Sequence, residues 1–199
     1  MSDYKFTQDW FHWAPDVWKQ FVPMLPGRKN FLEIGSYEGR STVWIAEHMA
    51  EDDAIILAVD TWEGGEEHAT VGEKMSVVEA NFDHNMAVCQ GLFPKRKISK
   101  IKMTSYDAIS YFAGRVGKEC PFDFVYIDGS HIAKDVLADA CMAWPLLKSG
   151  GIMVFDDYPW GVQRDILHRP KLAIDSFVNI YAEHLDIVAM GYQMAVRKK

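Results

Sequence analysis

The sequence predicts a doubly wound, mostly parallel α/β sheet with helices on both faces, and three observations predict it. Continuous apolar runs at residues 54–60 (AIILAVD) and 122–128 (FDFVYID) read as strands buried on both sides. Helical patterns of about 10–15 residues alternate with such runs, the order that builds parallel sheets through crossover helices. Two short strands separated only by Gly191 end the chain, which suits a terminal antiparallel hairpin.

Residues 1–29 read as an N-terminal helical and aromatic cap, and residues 30–199 as one domain. Residues 1–12 are irregular. Over residues 16–24, Val17, Phe21 and Met24 share a helical stripe behind Pro15, and Pro23, Pro26 and Gly27 close the segment. Trp10, Phe11, Trp13 and Trp18 either anchor this helix or roof a pocket. The first strand is 31–35, followed by a helix at 41–49 and a strand at 54–60. Gly64 and Gly65 mark a loop, and 74–89 is helical. A third strand over 98–104 precedes a short helix at 107–116 capped by Asp107. Strand 122–128 leads to a helix over 131–147, stopped by the run Ser149-Gly150-Gly151. Strand 151–156, helix 172–184 and strands 185–190 and 192–196 complete seven strands.

The chain has 199 residues, enough for one full core. Its 28 acids against 21 bases give a net charge of −7, which argues against a nucleic-acid backbone as the main partner, and the short run Lys95-Arg96-Lys97 reads as a solvated loop. Cys89, Cys120 and Cys141 are widely spaced and form no CxxC, so zinc and redox motifs are not expected. Free thiols, no signal-peptide pattern and no apolar run long enough to span a bilayer suggest a cytoplasmic protein.

Residues 31–42 (FLEIGSYEGRST) organise the rest. An apolar strand ends at Gly35, a second glycine follows at Gly39, and a helix starts near Ser41. Such a bend brings backbone N–H groups to a bound nucleotide. Glu33-Ile34-Gly35-Ser36-Tyr37-Glu38-Gly39 resembles the first motif, E-x-G-x-x-x-G, of class I S-adenosylmethionine (SAM)-dependent methyltransferases. Ser36 and Tyr37 stand where the dinucleotide fingerprint needs a glycine. The resemblance implies a Rossmann-like, seven-stranded sheet with SAM as cofactor. It places Asp60 on the ribose, Trp62 near the adenosine, and Ser105 and Tyr106 beside the adenine. Gly35 and Tyr37, with Gly39 close behind, would approach the methionine portion. Ser41 and Thr42 would hold its carboxylate, and Glu33 would face its amino group. Independently, strand ends in a doubly wound sheet carry the ligand, and here they carry Glu33, Asp60, Ser105, Asp128 and Asp156-Asp157.

The strings FDFVYIDGSH and LLKSGGIMVFDDY resemble small-molecule O-methyltransferases of the catechol and antibiotic-sugar type. The resemblance implies that Asp128, Asp156 and Asp157 hold a divalent metal, and oxygen ligands favour Mg²⁺ or Ca²⁺. Asp128 then serves cofactor, metal and catalysis. His131 would accept the acceptor's proton, because imidazole exchanges protons near neutral pH. Ser130 occupies the place where the sugar enzymes often carry an acid. Tyr158, Trp160 and His68 are candidate pocket walls, and Asp83, His84, Arg164 and His168 carry no assignment. The expected partner is a small hydroxylated acceptor, with neither nucleic acid nor membrane. Exposed N-terminal aromatics favour a homodimer. A nicotinamide oxidoreductase and a non-catalytic SAM-binding protein are the alternatives.

Overall fold

The computed structural model describes residues 3–65, 74–116 and 121–199. Its seven strands are β1 (Asn30–Ile34), β2 (Ile55–Asp60), β3 (Lys97–Lys102), β4 (Phe122–Ile127), β5 (Leu147–Phe155), β6 (Leu185–Met190) and β7 (Met194–Lys198). They form one sheet in the order β3-β2-β1-β4-β5-β7-β6. The first five strands pair in parallel, and β7 runs antiparallel between β5 and β6. The expected sheet and terminal hairpin are both present.

The period of two along each strand divides the core. Leu32 and Ile34 on β1, with Val125 and Ile127 on β4, pack with Val136, Ala140, Ile174 and Phe177. Those four lie on α5 (Ala133–Ala143) and α6 (Lys171–Ile180), and α4 (Ser105–Val116) adds Ala108 and Ile109 to the same face. Phe31, Phe124 and Tyr126 point the other way, onto Trp18, Trp44 and Ile45. That face is covered by α1 (Ala14–Trp18), α2 (Arg40–Trp44) and α3 (Met75–Leu92). β4 is buried along its whole length, as its unbroken apolar run requires.

Several boundaries differ from expectation for identifiable reasons. The leading helix is five residues long, because Pro23 admits only a 3-10 turn at Val22–Met24. After Trp44, α2 widens into a π-helical turn at Ile45–Met49, closed by Ala50 N–H donating to the Ile45 carbonyl at 2.8 Å. Thr104, not Asp107, caps α4: its Oγ1 accepts from the Asp107 N–H at 3.1 Å and donates to the Asp107 carboxylate at 2.8 Å. The helix expected to reach residue 147 ends at Ala143, where Pro145 forces a 3-10 turn. β5 then starts at Leu147 and runs through both glycines, with a register shift against β4.

The N-terminal cap is built into the domain. Phe11 and Trp18 are buried in the core, and Trp18 meets Trp44, Phe124 and Tyr126 edge to face at 4.8–5.6 Å. Of the four cap aromatics only Trp10 is exposed. No helix among the described residues is long and apolar enough to cross a membrane.

Candidate active site

The parallel ladder delivers the strand ends to one place. Gly35 N–H donates to Val59 at 2.8 Å, Asp128 N–H to Ile34 at 2.8 Å, and Asp156 N–H to Ile127 at 3.0 Å. A cleft of about 1120 Å³ opens above these ends. Gly35, Tyr37, Asp60, Ser105, Tyr106 and Asp128 line it.

The glycine bend is set by contacts on both sides. Gly35 has φ +84°, and a Cβ there would stand 1.9 Å from the Asp128 carbonyl oxygen, so only glycine fits. Asp60 holds the turn from the neighbouring strand. Its Oδ2 accepts from the Ser36 and Tyr37 N–H groups, each at 2.9 Å, and its Oδ1 from the Trp62 N–H at 2.7 Å. The sequence expectation gave Asp60 to a ribose; here most of its acceptor capacity shapes the bend.

Other expected contacts lie elsewhere. Trp62 is buried below the bend, donates its indole N–H to the Tyr37 carbonyl at 2.9 Å, packs on Phe82, and is absent from the cleft lining. Thr61 lines the cleft in its place. Gly39 leaves room for Met86 and Phe82 of α3, not for a ligand. Thr42 is fully buried, and its hydroxyl donates to Glu33 Oε2. Ser41 reaches a smaller recess of about 70 Å³ beside the bend, with Ser36 and Tyr37.

Glu33 is fully buried behind the bend and does not line the cleft. Burial lifts its carboxyl to about 7, although the Ser41 and Thr42 hydroxyls pull it down. Glu33 Oε1 and Ser36 Oγ are buried without a hydrogen-bond partner. Orphaned acceptors at a bend suit a ligand that brings N–H donors. The folded carboxyl therefore titrates above its ordinary 4.5, so the native state holds the extra proton and loses stability as pH rises from about 4.5 to about 7. Glu33→Gln removes this cost. We expect the variant to be more stable than the parent by on the order of 1–3 kcal/mol at pH 8 and about equal at pH 5. Urea melts of the ligand-free protein at the two pH values check this; an equal effect at both would refute it.

The far half of the cleft carries the reactive groups. His131 Nε2 lies 2.7 Å from Asp157 Oδ2, and its ring stacks on Trp160 with centroids 4.0 Å apart. Asp157 has φ +57°, a left-handed conformation that Asp tolerates and that turns it from the strand direction. The Tyr126 hydroxyl stands between Asp128 and Asp156, 3.0 Å from Asp128 Oδ2 and in hydrogen-bond contact with Asp156 Oδ2. Burial raises both carboxyls, helped by repulsion from Asp156 and Asp157 at Asp128 and from Asp157 at Asp156. Asp139, beside Ser105, is lifted to about 6 by burial. Ser130 Oγ accepts from the Ile132 N–H at 3.1 Å and donates to Asp135 Oδ2 at 3.1 Å, so it fixes the turn that leads into α5.

The three aspartates expected around a metal all line the cleft, but each is engaged by a protein group. Among the described residues no group of three His, Cys, Asp or Glu is placed to hold an ion. Asp157 is engaged by His131, and Tyr126 occupies the space between the other two. As placed, this donor set does not fit a divalent cation.

Trp160 lines the cleft, as do the unassigned Arg164 and His168. Tyr158 faces away and bonds Asp175 at 2.8 Å and Lys171 at 2.5 Å. Asp83 pairs with Lys100, and His84 meets the Asp3 carbonyl, both outside the cleft. His68 lies outside the described residues. Sequence reasoning missed Tyr126, Asp139 and Tyr192. Tyr126 sits inside an apolar strand run, and only the alternation of faces along β4 could have singled it out.

Comparison with known proteins agrees with this geometry. A family model described as a methyltransferase domain matches residues 32–158. No curated protein matches the chain. Among solved structures, an O-methyltransferase from Bacillus cereus in complex with SAH is 20% identical, with a TM-score of 0.65 over 97% of this chain and 84% of that one. TomG from Streptomyces achromogenes, an O-methyltransferase of tomaymycin synthesis in complex with SAM, is 17% identical, with a TM-score of 0.66 over 94% and 80%. A candidate rRNA methylase from Clostridium thermocellum is 13% identical, with a TM-score of 0.65 over 98% and 100%.

Proposed function

Because the chain belongs to the methyltransferase domain family, we propose that it transfers the methyl group of SAM to a hydroxyl of a small molecule. One observation carries this reading: the Asp60-clamped bend and the His131–Asp157 pair open onto the same cleft. The bound cofactor would supply an electrophilic methyl on a sulfonium. Gly35, Tyr37, Ser41 and Thr61 would hold its amino-acid and ribose portions, with Ser105 and Tyr106 beside its base. Glu33 would act from behind the bend through the Thr42 hydroxyl that bonds it.

In the reacting half, His131 would take the acceptor hydroxyl's proton on Nδ1, which is buried in the ligand-free chain and would have to be uncovered as the acceptor enters, while Asp157 on Nε2 fixes the ring and balances the charge it gains. Trp160 keeps the imidazole plane in place by stacking. With the cofactor held by the bend, its sulfonium would supply the methyl to the oxygen His131 deprotonates, with SAH and a methyl ether as the products. The net charge of −7 supports a small acceptor over an RNA, and the free Cys89 and Cys141 suit a reducing compartment. Calorimetry with SAH tests the cofactor assignment, and failure to bind would end it.

A metal-assisted version of this chemistry would need Tyr126 and His131 to release their carboxylates. Their hydrogen bonds favour the metal-free version. We expect enzyme dialysed against EDTA to keep its methyl-transfer rate within about twofold on adding Mg²⁺, against the several kcal/mol of a working Lewis acid. A rise of about 100-fold would restore the metal reading.

A further inference from the structure

The N-terminal strap, residues 3–13, reaches the cleft, and nothing above uses it. It is held down at the cofactor bend and on α3. Thr7 donates to buried Glu38 through its N–H at 2.6 Å and its hydroxyl at 2.9 Å. Buried Asn85 exchanges two hydrogen bonds with the backbone of Lys5, at 2.7 and 2.8 Å. Arg40 bonds the Gln8 carbonyl at 3.0 Å, pairs with Asp9 at 3.3 Å and lies 4.3 Å over the Phe6 ring. A strap fixed by polar groups with little exposure is preorganised.

Its far end supplies ring surface. Trp10 and Trp13 both line the cleft. Trp10 packs on Tyr37 of the bend at 5.0 Å, and Trp13 meets Tyr192 edge on at 4.9 Å. Trp160, stacked with His131, faces the same space from the segment after β5. The charge of the lining is lopsided: among the described residues it holds seven aspartates, of which burial pushes Asp128, Asp139 and Asp156 toward the neutral form, and a single Lys or Arg, Arg164, which lies over Trp160 at 4.6 Å. Water-poor clefts of one sign repel like-charged ligands strongly.

Resting on the methyltransferase reading, we propose that Trp13 and Trp10 are specificity-determining residues that select a flat, hydroxylated ring carrying no negative charge, neutral or cationic, and reject phosphate-bearing acceptors. Trp13 is the cleaner probe. It lies beyond the polar anchors, and its aromatic partner is Tyr192, away from the cofactor bend.

The test titrates the full chain, with and without saturating SAH, with phenol, tyramine and phenyl phosphate, following the tryptophan indole N–H signals by NMR. SAH affinity is measured separately by calorimetry. We expect tyramine and phenol to bind about tenfold or more tightly than phenyl phosphate. Trp13→Ala should weaken tyramine by about tenfold, and Trp13→Phe, which keeps a ring face, by much less. Folding of each variant is checked by its unchanged SAH affinity. Phenyl phosphate binding as well as tyramine, no ring binding at all, or no effect of Trp13→Ala overturns the proposal. Loss of SAH binding by the parent chain instead overturns the methyltransferase reading, and the ring titration without SAH is still scored by itself.

Discussion

Replacing His131 with alanine is expected to lower kcat by about 10²–10⁴-fold, the range supplied by a positioned general base. SAH affinity should stay within about twofold, because the residues expected to hold the cofactor lie on the bend and the β2 end. Two contacts give the imidazole a single orientation: Asp157 at 2.7 Å on Nε2 and the Trp160 face at 4.0 Å. Asp157→Asn keeps the shape but loses the charge that balances a protonated ring. It should therefore cost less than the alanine at His131 while moving kcat in the same direction. Stopped-time methyl-transfer assays with labelled SAM, paired with SAH calorimetry, separate the two effects. An unchanged kcat in His131→Ala would remove the base and leave proton transfer to solvent or to another group.

Asp60→Asn should act on binding instead. The carboxylate accepts three backbone N–H groups at 2.7–2.9 Å, and these define the course of residues 36–37. An asparagine offers one oxygen and turns an NH₂ toward donors that also need an acceptor. One or two charge-assisted hydrogen bonds are lost, each worth about 1.5–3 kcal/mol. We therefore expect SAH affinity to fall by about 10²–10³-fold. Circular dichroism should show the fold intact, because the apolar faces of β1 and β2 do not depend on this contact. If affinity falls by less than about threefold, the bend is not the cofactor site.

The two predictions also mark how the sequence could be read. The bend was legible because glycine, apolar strand and helix start occur in one short window, and local rules govern such windows. His131 and Trp160 were named from their places after β4 and β5, and the structure brings them together. Trp62 and Tyr158 were misplaced for one reason. Each follows a strand end, where the backbone leaves the regular pattern and side-chain direction cannot be counted by twos. Trp62 has φ +51°, and Tyr158 follows Asp157 at φ +57°. The metal expectation rests on the same local signals: identity and order along the chain match the family pattern, and the structure adds the turned Asp157 and the interposed Tyr126, which no local signal shows.

The sequence by itself determined the strand order's raw material: seven strands, their helices, the glycine bend and the acids at the strand ends. Hydrophobic period and turn chemistry are local quantities, and they carry that information. Only the tertiary structure decided what each acid does. Asp60 became a clamp, Glu33 a buried carboxyl, Asp157 a partner for His131, and the N-terminal tryptophans a wall of the cleft. Those roles depend on which distant atoms lie within about 3 Å, and that distance is set by how two helical layers close over the sheet.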